Sequence, residues 1–173
     1  IMHSLADFEA PLVTPDKPFE QWQPQNCGQV PITIDAQGRW FYGGSEIKRE
    51  AMVKLFASVL CKEADSYFLK TPVEKMAITV IDVPFIIVDW RFEETEQGLA
   101  LCCVDNLQRA WLVSAKQPLL LREFEGVSVP YLQLAHGLAA RVSRNVYYQW
   151  AEIACSDEQG YYIESLAKRY YLA

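Results

Sequence analysis

Apolar residues recur at the spacing of an α-helix in one segment that ends near residue 61. From about Lys48 to Cys61 they fall at i, i+3, i+4, i+7 and i+8, which places them on one face. The residues of that face are Met52, Leu55, Phe56, Val59 and Leu60. The pattern predicts an amphipathic helix with a buried apolar face, followed by strands at 66–71 and 76–81.

The chain matches itself without a gap from Met52 to Thr71 when it is shifted by 94 residues. Apolar positions fall on apolar positions throughout this stretch. Such a long period indicates one supersecondary unit that is used twice rather than a solenoid array. Alternating polarity would also allow a strand after Ser143, but the repeat favours a second helix over 144–155 with Ser143 as its N-cap.

The remaining apolar segments are short and bounded by turn residues, as is typical of β-strands. They are 30–34, 39–42, 85–92, 99–104, 109–113, 119–124, 129–134, 161–165 and 169–172. We therefore predict an α+β fold in which two ββαββ units, related by internal duplication, are joined by an antiparallel meander. The predicted boundaries are an extended N-terminal arm over 1–29, a first α+β unit over 30–84 and a second over 85–173.

Composition narrows the class of protein. The 173 residues are 51% hydrophobic and carry a net charge of −6, which suits a packed core and disfavours binding to nucleic acid or anionic lipid. The longest apolar runs are far shorter than the roughly 20 residues that span a membrane. Five cysteines, an odd number without a CxxC pair, favour reduced thiols. We expect a cytoplasmic protein that binds neither nucleic acid nor membrane.

A candidate binding site follows from the lengths of the first helix and its return strand. The helix should be about 21 Å long and the strand about 20 Å, so the strand should end beside the helix N-terminus. That end would combine free backbone N–H groups with a Gly-Gly-Ser turn and several cations, which suits a small anionic ligand such as a nucleotide. The predicted site residues are Trp40, Tyr42, Gly44, Lys48, Arg49, Lys70, Thr71, Glu74 and Lys75. The alternative is a plain turn beside solvated lysines, with Trp40 in the core.

No reaction follows from the sequence. His3 and His136 are far apart along the chain, and neither a nucleophile elbow nor metal-ligand spacing occurs, so we assign no catalytic residue, metal or cofactor. We favour a ligand-binding or sensor domain. Two alternatives stay open: an enzyme that acts on a small phosphorylated metabolite, with Glu74 and Lys70 or Lys75 as catalytic groups, and a protein-interaction module with a protein partner.

Several motifs occur in the order found in one bacterial family. They are Cys27-Gly28, Gly38-Arg39-Trp40-Phe41-Tyr42-Gly43-Gly44-Ser45, Val53-Lys54-Leu55-Phe56-Ala57-Ser58-Val59-Leu60, Thr71-Pro72-Val73-Glu74-Lys75 and Val83-Pro84-Phe85. On these motifs the chain resembles the family catalogued as domain of unknown function 1285. The resemblance implies a duplicated α+β core with a pleckstrin-homology-like part over 85–173. It also implies a nucleotide-like ligand at the domain interface and a role in signal transduction. One departure is the turn Leu166-Ala167-Lys168, where the resemblance implies a glycine.

Overall fold

The computed structural model describes residues 17–173. Contacts divide the chain into two compact units. Of the described residues, the first unit contains 17–84 and 135–138, and the second contains 85–134 and 139–173. Residues 1–16 of the predicted N-terminal arm lie outside the described residues. The rest of the arm contains a short 3-10 turn at Phe19–Gln21 and the beginning of the first strand.

The first unit is a six-stranded sheet with one helix. Its elements are β1 (Asn26–Ile34), β2 (Trp40–Tyr42), β3 (Ser45–Glu46), α1 (Glu50–Ser58), β4 (Leu60–Glu63), β5 (Ser66–Lys70) and β6 (Glu74–Val80). The strand order is β3-β2-β1-β6-β5-β4, and only β1 and β6 run parallel to each other. The sheet contributes Ile32, Ile34 and Leu60 to the core, and the helix contributes Val53 and Ala57.

The second unit contains a six-stranded sheet, one helix and a small three-stranded sheet. Its elements are β7 (Phe85–Thr95), β8 (Gly98–Asp105), β9 (Ala110–Leu112), β10 (Leu119–Phe124), β11 (Val127–Gln133), β12 (Ala139–Val142), α2 (Arg144–Ile153), β13 (Cys155–Asp157), β14 (Gly160–Ser165) and β15 (Lys168–Tyr171). The large sheet has the order β10-β11-β12-β7-β8-β9, in which only β12 and β7 are parallel, and the small sheet is β13-β14-β15. The antiparallel run β7-β8-β9 is the predicted meander.

The predicted duplication is visible in the order of the elements. Helix α2 begins at Arg144, 94 residues after α1 begins at Glu50. Strands β14 and β15 likewise begin 94 residues after β5 and β6. The second helix is therefore confirmed. The predicted ββαββ unit is not confirmed: α1 lies between β1–β3 and β4–β6, and α2 lies between the six strands β7–β12 and the three strands β13–β15.

Helix α1 differs from its prediction in both length and orientation. It ends at Ser58, because Leu60–Glu63 pair with β5 instead of continuing the helix. The buried side chains are Val53 and Ala57, whereas Leu55 is 64% exposed. The expectation that Leu55 lies on the buried face is wrong. Val53, Ala57 and Leu60 have the spacing i, i+4 and i+7 and define a second apolar face in the segment 48–61.

An aspartate and an arginine four residues later stabilise each of two hairpin turns. The guanidinium of Arg39 donates to Asp35 at 2.8 Å after β1, and that of Arg109 donates to Asp105 at 2.9 Å after β8. In each turn the other carboxylate oxygen accepts from the backbone N–H of the same arginine. A carboxylate that accepts local backbone N–H bonds fixes the turn. The shared pattern Asp-x-x-x-Arg is readable in the sequence, and our sequence analysis did not use it.

The β14–β15 turn forms without the expected glycine. Leu166 and Ala167 both adopt positive φ, 50° and 63°. Two contacts hold this conformation: the Leu166 N–H donates to the Leu99 carbonyl at 2.9 Å, and the buried Ser165 hydroxyl accepts from the Leu101 N–H at 2.8 Å. Left-handed backbone is unfavourable for residues with a Cβ, so these hydrogen bonds to β8 offset part of that cost.

Candidate functional site

Two of the predicted site residues, Lys70 and Lys75, share one carboxylate. The Lys70 ammonium is buried and donates to Glu63 at 3.0 Å and to the Phe19 carbonyl at 2.7 Å. Lys75 donates to the other oxygen of Glu63 at 2.6 Å and lies over the ring of Phe68. Both cations therefore have partners within the first unit, and the Lys70 ammonium is not exposed to a ligand.

The other predicted residues of the β5–β6 connection form a tight turn. The Thr71 hydroxyl accepts from the Glu74 N–H at 3.0 Å, and the Thr71 N–H donates to the Glu74 carbonyl at 2.8 Å. The Glu74 carboxylate accepts from the Asn26 side chain at 3.2 Å. These contacts account for Thr71 and Glu74 as turn residues.

The predicted meeting of this turn with the helix N-terminus does not occur. The Lys70 N–H donates to the Val59 carbonyl at 2.8 Å, so β5 ends beside the C-terminus of α1. The prediction of that geometry is wrong because α1 is shorter than expected and the chain turns back within the β4–β5 hairpin. Lys70, Thr71, Glu74 and Lys75 therefore form one group at the β5–β6 turn.

The remaining five predicted residues lie in β2 or between β2 and α1. Trp40 is 2% exposed and stacks on Phe56 with a centroid distance of 6.2 Å, so it is a core residue and its ring faces are not open to a base. Tyr42 is exposed at the end of β2. Gly44 lies in the β2–β3 turn, and Lys48 and Arg49 are exposed just before α1.

The shared carboxylate of Glu63 predicts a pH-dependent contribution to stability. Hydrogen bonds from Lys75 and Lys70 hold the pKa of Glu63 below its usual value of 4.5. A lowered carboxyl pKa stabilises the fold above the usual pKa, and this stabilisation is lost as the pH falls through the folded value. Because Glu63 is 40% exposed, we expect Glu63→Gln to lower the free energy of unfolding by only about 1–2 kcal/mol at pH 7.

Urea unfolding of both proteins between pH 3 and pH 7 would measure this contribution. The difference between wild type and Glu63→Gln should shrink below about pH 4.5. Glu74→Gln is the matched control, since Glu74 contacts neither lysine ammonium. A difference that stays constant over this pH range would contradict the assignment.

A cleft of about 330 Å³ lies in the second unit at the N-terminus of α2. We call it the α2 cleft. Its lining comes from the β10–β11 hairpin, from β12 and from the first turns of α2: Phe124, Glu125, Val127, Ser128, Val129, Arg141, Val142, Arg144, Tyr147 and Tyr148. Its volume is near the lower end of the roughly 300–1,000 Å³ that is usual for small-molecule sites.

Arg141 supplies a buried positive charge to the α2 cleft. It lies on β12, is 7% exposed, and its guanidinium carbon is 3.8 Å from the centroid of the Phe124 ring. Stacking of a guanidinium on an aromatic face fixes the plane of the guanidinium. The planar fork of arginine matches carboxylate and phosphate oxygens.

The N-terminus of α2 adds to this positive potential. Ser143 is the N-cap, and its hydroxyl accepts from the Val146 N–H at 3.3 Å. The first turn contains no acidic residue, and its first residue is the exposed Arg144. The positive end of the helix dipole and the Arg144 guanidinium therefore both make the electrostatic potential in the α2 cleft more positive.

Aromatic side chains form one wall of the α2 cleft. The Tyr147 hydroxyl donates to the Leu172 carbonyl at 3.0 Å, which holds its ring in place. Tyr148 packs edge-on against Tyr147 and is 59% exposed, so one large aromatic ring is available to a ligand. Its described lining residues include two arginines and one carboxylate, that of Glu125 in the hairpin turn, and these residues are net positive.

None of the nine predicted site residues lines the α2 cleft. The shift of 94 residues carries Lys48 and Arg49 onto Val142 and Ser143, so the cleft occupies in the second unit the helix end that the sequence analysis selected in the first. A readable signal was available. Arg141 and Arg144 flank Ser143, which was the predicted N-cap.

Two observations bear on metal binding and on the thiols of Cys102 and Cys103. Within residues 17–173, no group of three or more His, Cys, Asp or Glu side chains is placed to hold a metal ion. Burial raises the pKa of Cys102 to about 11 and that of Cys103 well above its ordinary value. Both thiols are therefore protonated at neutral pH.

No helix between residues 17 and 173 is both long and apolar enough to cross a membrane.

Comparison with known proteins assigns the chain to a family. Residues 17–83 match the N-terminal domain and residues 84–172 the C-terminal domain of DUF1285, a domain of unknown function. The chain belongs to the DUF1285 family, which confirms the resemblance seen in its sequence. No match was found among curated proteins.

Two solved structures of DUF1285 family proteins are similar to this chain. The protein from Silicibacter pomeroyi DSS-3 is 29% identical, with a TM-score of 0.82, over 90% of this chain and 86% of that one. The protein from Shewanella baltica OS155 is 28% identical, with a TM-score of 0.57, over 71% of this chain and 91% of that one. The similarity supports the mixed α+β fold.

Proposed function

We propose that the second unit binds a small anionic molecule with an aromatic part, such as a nucleotide, in the α2 cleft. The observation that carries this proposal is the buried Arg141 guanidinium beside the capped N-terminus of α2. An anion in the cleft would accept hydrogen bonds from Arg144, would be attracted by the positive charge of Arg141 and would lie at the positive end of the helix dipole. The exposed ring of Tyr148 would stack on the aromatic part of the ligand.

The proposed role is recognition rather than catalysis. Among the described residues of the lining there is no histidine or cysteine, and Glu125 is their one carboxylate, so no nucleophile is paired with a base among them. A ligand sensor that acts in signal transduction through a protein partner is consistent with such a cleft. The pleckstrin-homology-like character implied for the second unit belongs to the same proposal.

Calorimetric titration of the full chain with nucleoside monophosphates and with inorganic phosphate tests the proposal. Arg144→Gln removes one charge-assisted contact, worth about 1.5–3 kcal/mol, and should weaken binding roughly ten- to a hundredfold. The exposed Arg144 has no packing role in the core, so the variant should keep its stability. Inorganic phosphate should bind more weakly than the nucleotides, because it lacks the ring that would stack on Tyr148.

Arg49→Gln is the matched control, because Arg49 occupies the corresponding end of α1 and is also exposed. It should leave binding unchanged. Weaker binding by Arg49→Gln together with unchanged binding by Arg144→Gln would move the site to the first unit. No saturable binding of any nucleotide at millimolar concentration would refute the proposal.

A further inference from the structure

The second unit also carries an apolar groove of about 650 Å³ that the α2 cleft does not include. We call it the β7–β14 groove. The end of the β7–β8 hairpin, the C-terminus of α2 and strand β14 line it. Three of its side chains are about half exposed: Phe92 at 40%, Leu99 at 49% and Ile153 at 47%. Apolar side chains that share one exposed groove indicate a binding surface more often than isolated ones do.

The floor of the β7–β14 groove is held rigidly. The Trp90 indole N–H donates to the Gln149 side chain at 2.7 Å. The same ring packs edge-on against Phe92 and against the buried Trp150, with centroid distances of 5.7 and 6.4 Å. A surface whose aromatic groups are already fixed loses little conformational entropy when a partner binds.

The rim of the β7–β14 groove is acidic. Glu164 is the one charged residue among residues 17–173 that line it. Glu94 pairs across the strands with Leu99, and cross-strand partners lie on the same face of a sheet. Glu94 also shares that face with Phe92, because alternate residues of a strand point the same way. Two carboxylates therefore flank the apolar groove. Arg169, the cross-strand partner of Glu164, lies on the same face of the sheet, but its guanidinium is paired with Asp157 at 2.8 Å.

We propose that this groove docks a short segment of a partner protein that alternates apolar side chains with lysine or arginine. The apolar side chains would cover Phe92, Leu99 and Ile153, and the cations would pair with Glu94 and Glu164. Charge complementarity selects this occupant. A second copy of this chain carries a net charge of −6, and an anionic lipid surface is likewise negative, so the acidic rim would repel both.

Fluorescence anisotropy with two labelled synthetic peptides tests the inference on the full chain. Both peptides carry the same leucine spacing, one with lysines and the other with glutamates between the leucines. The lysine peptide should bind and the glutamate peptide should not. Leu99→Ser should weaken binding about tenfold or more, because it replaces one of the three exposed apolar side chains of the groove with a polar one. Leu120→Ser, at an equally exposed leucine on β10, should not change binding.

A charge-reversed variant distinguishes binding in the β7–β14 groove from nonspecific electrostatic attraction of the lysine peptide to an acidic protein. Glu94→Lys combined with Glu164→Lys should transfer the preference from the lysine peptide to the glutamate peptide. Replacing Glu123 and Glu158 by lysine should not change the peptide preference, because these two exposed carboxylates are not part of the groove. Equal effects of the two exchanges would overturn the inference, as would the absence of saturable binding. Self-association that Leu99→Ser abolishes would name a second copy as the occupant and would also overturn it.

Discussion

Trp150→Ala should lower the free energy of unfolding by about 3–5 kcal/mol. Trp150 lies on α2, is 0% exposed and packs against Trp90. Replacing the indole by a methyl group loses the burial of a large apolar side chain and leaves a cavity that neighbouring residues fill only in part. The indole N–H has no hydrogen-bond partner among residues 17–173, so the loss should come from packing alone.

Urea unfolding followed by circular dichroism measures this loss without depending on tryptophan fluorescence. Leu55→Ala on α1 is the control, because 64% of Leu55 is exposed, and it should change the free energy of unfolding by less than about 0.5 kcal/mol. Comparable losses from the two substitutions would show that the faces of the helices are assigned incorrectly.

Asp105→Ala should have an effect of similar size for an electrostatic reason. The Asp105 carboxylate is fully buried and accepts from the Arg109 guanidinium, from the Trp111 indole N–H at 2.9 Å and from the Leu107 backbone N–H at 2.8 Å. Its removal leaves a largely buried cation and several donors without their acceptor. Breaking such a pair costs about 3–5 kcal/mol.

Asp35→Ala is the matched control, since Asp35 makes the corresponding turn with Arg39. The Asp35 side chain is 21% exposed and Arg39 is 57% exposed, so water can replace the lost contacts. We expect a loss of about 1–2 kcal/mol, measured in the same urea experiment. Equal losses at both turns would mean that burial of Asp105 does not set the size of the effect.

The second helix shows what the sequence could establish. Ser143 is a good N-cap, Trp150 falls on the apolar stripe, and the 94-residue shift supplies an independent comparison with α1. Local preference and the repeat agreed there, so the element was predicted correctly. The DUF1285 motifs identified the family because they occur in order along nearly the whole chain.

The candidate site was harder to predict because long-range contacts decide it. From the sequence, Lys70 looks like a surface cation. In the structure its ammonium is buried and donates to the Phe19 carbonyl, 51 residues away in the chain. The segment after Ser58 is apolar enough to extend a helix, and pairing with β5 makes it a strand instead. Such tertiary contacts override local propensity, and a single sequence does not reveal them.

The segment 135–138 affects how the protein can be divided into fragments. Although it follows β11 in the chain, it belongs to the first unit, where His136 contacts Glu20 at 3.0 Å. Gly137 lies so close to Lys62 on β4 that an added Cβ would be 3.0 Å from the Lys62 side chain. A fragment that ended at residue 83 would contain all six strands of the first sheet and lack these contacts along its outer strand. The boundary between the two family segments thus coincides with the division of the fold to within one residue, except that residues 135–138 belong to the first unit.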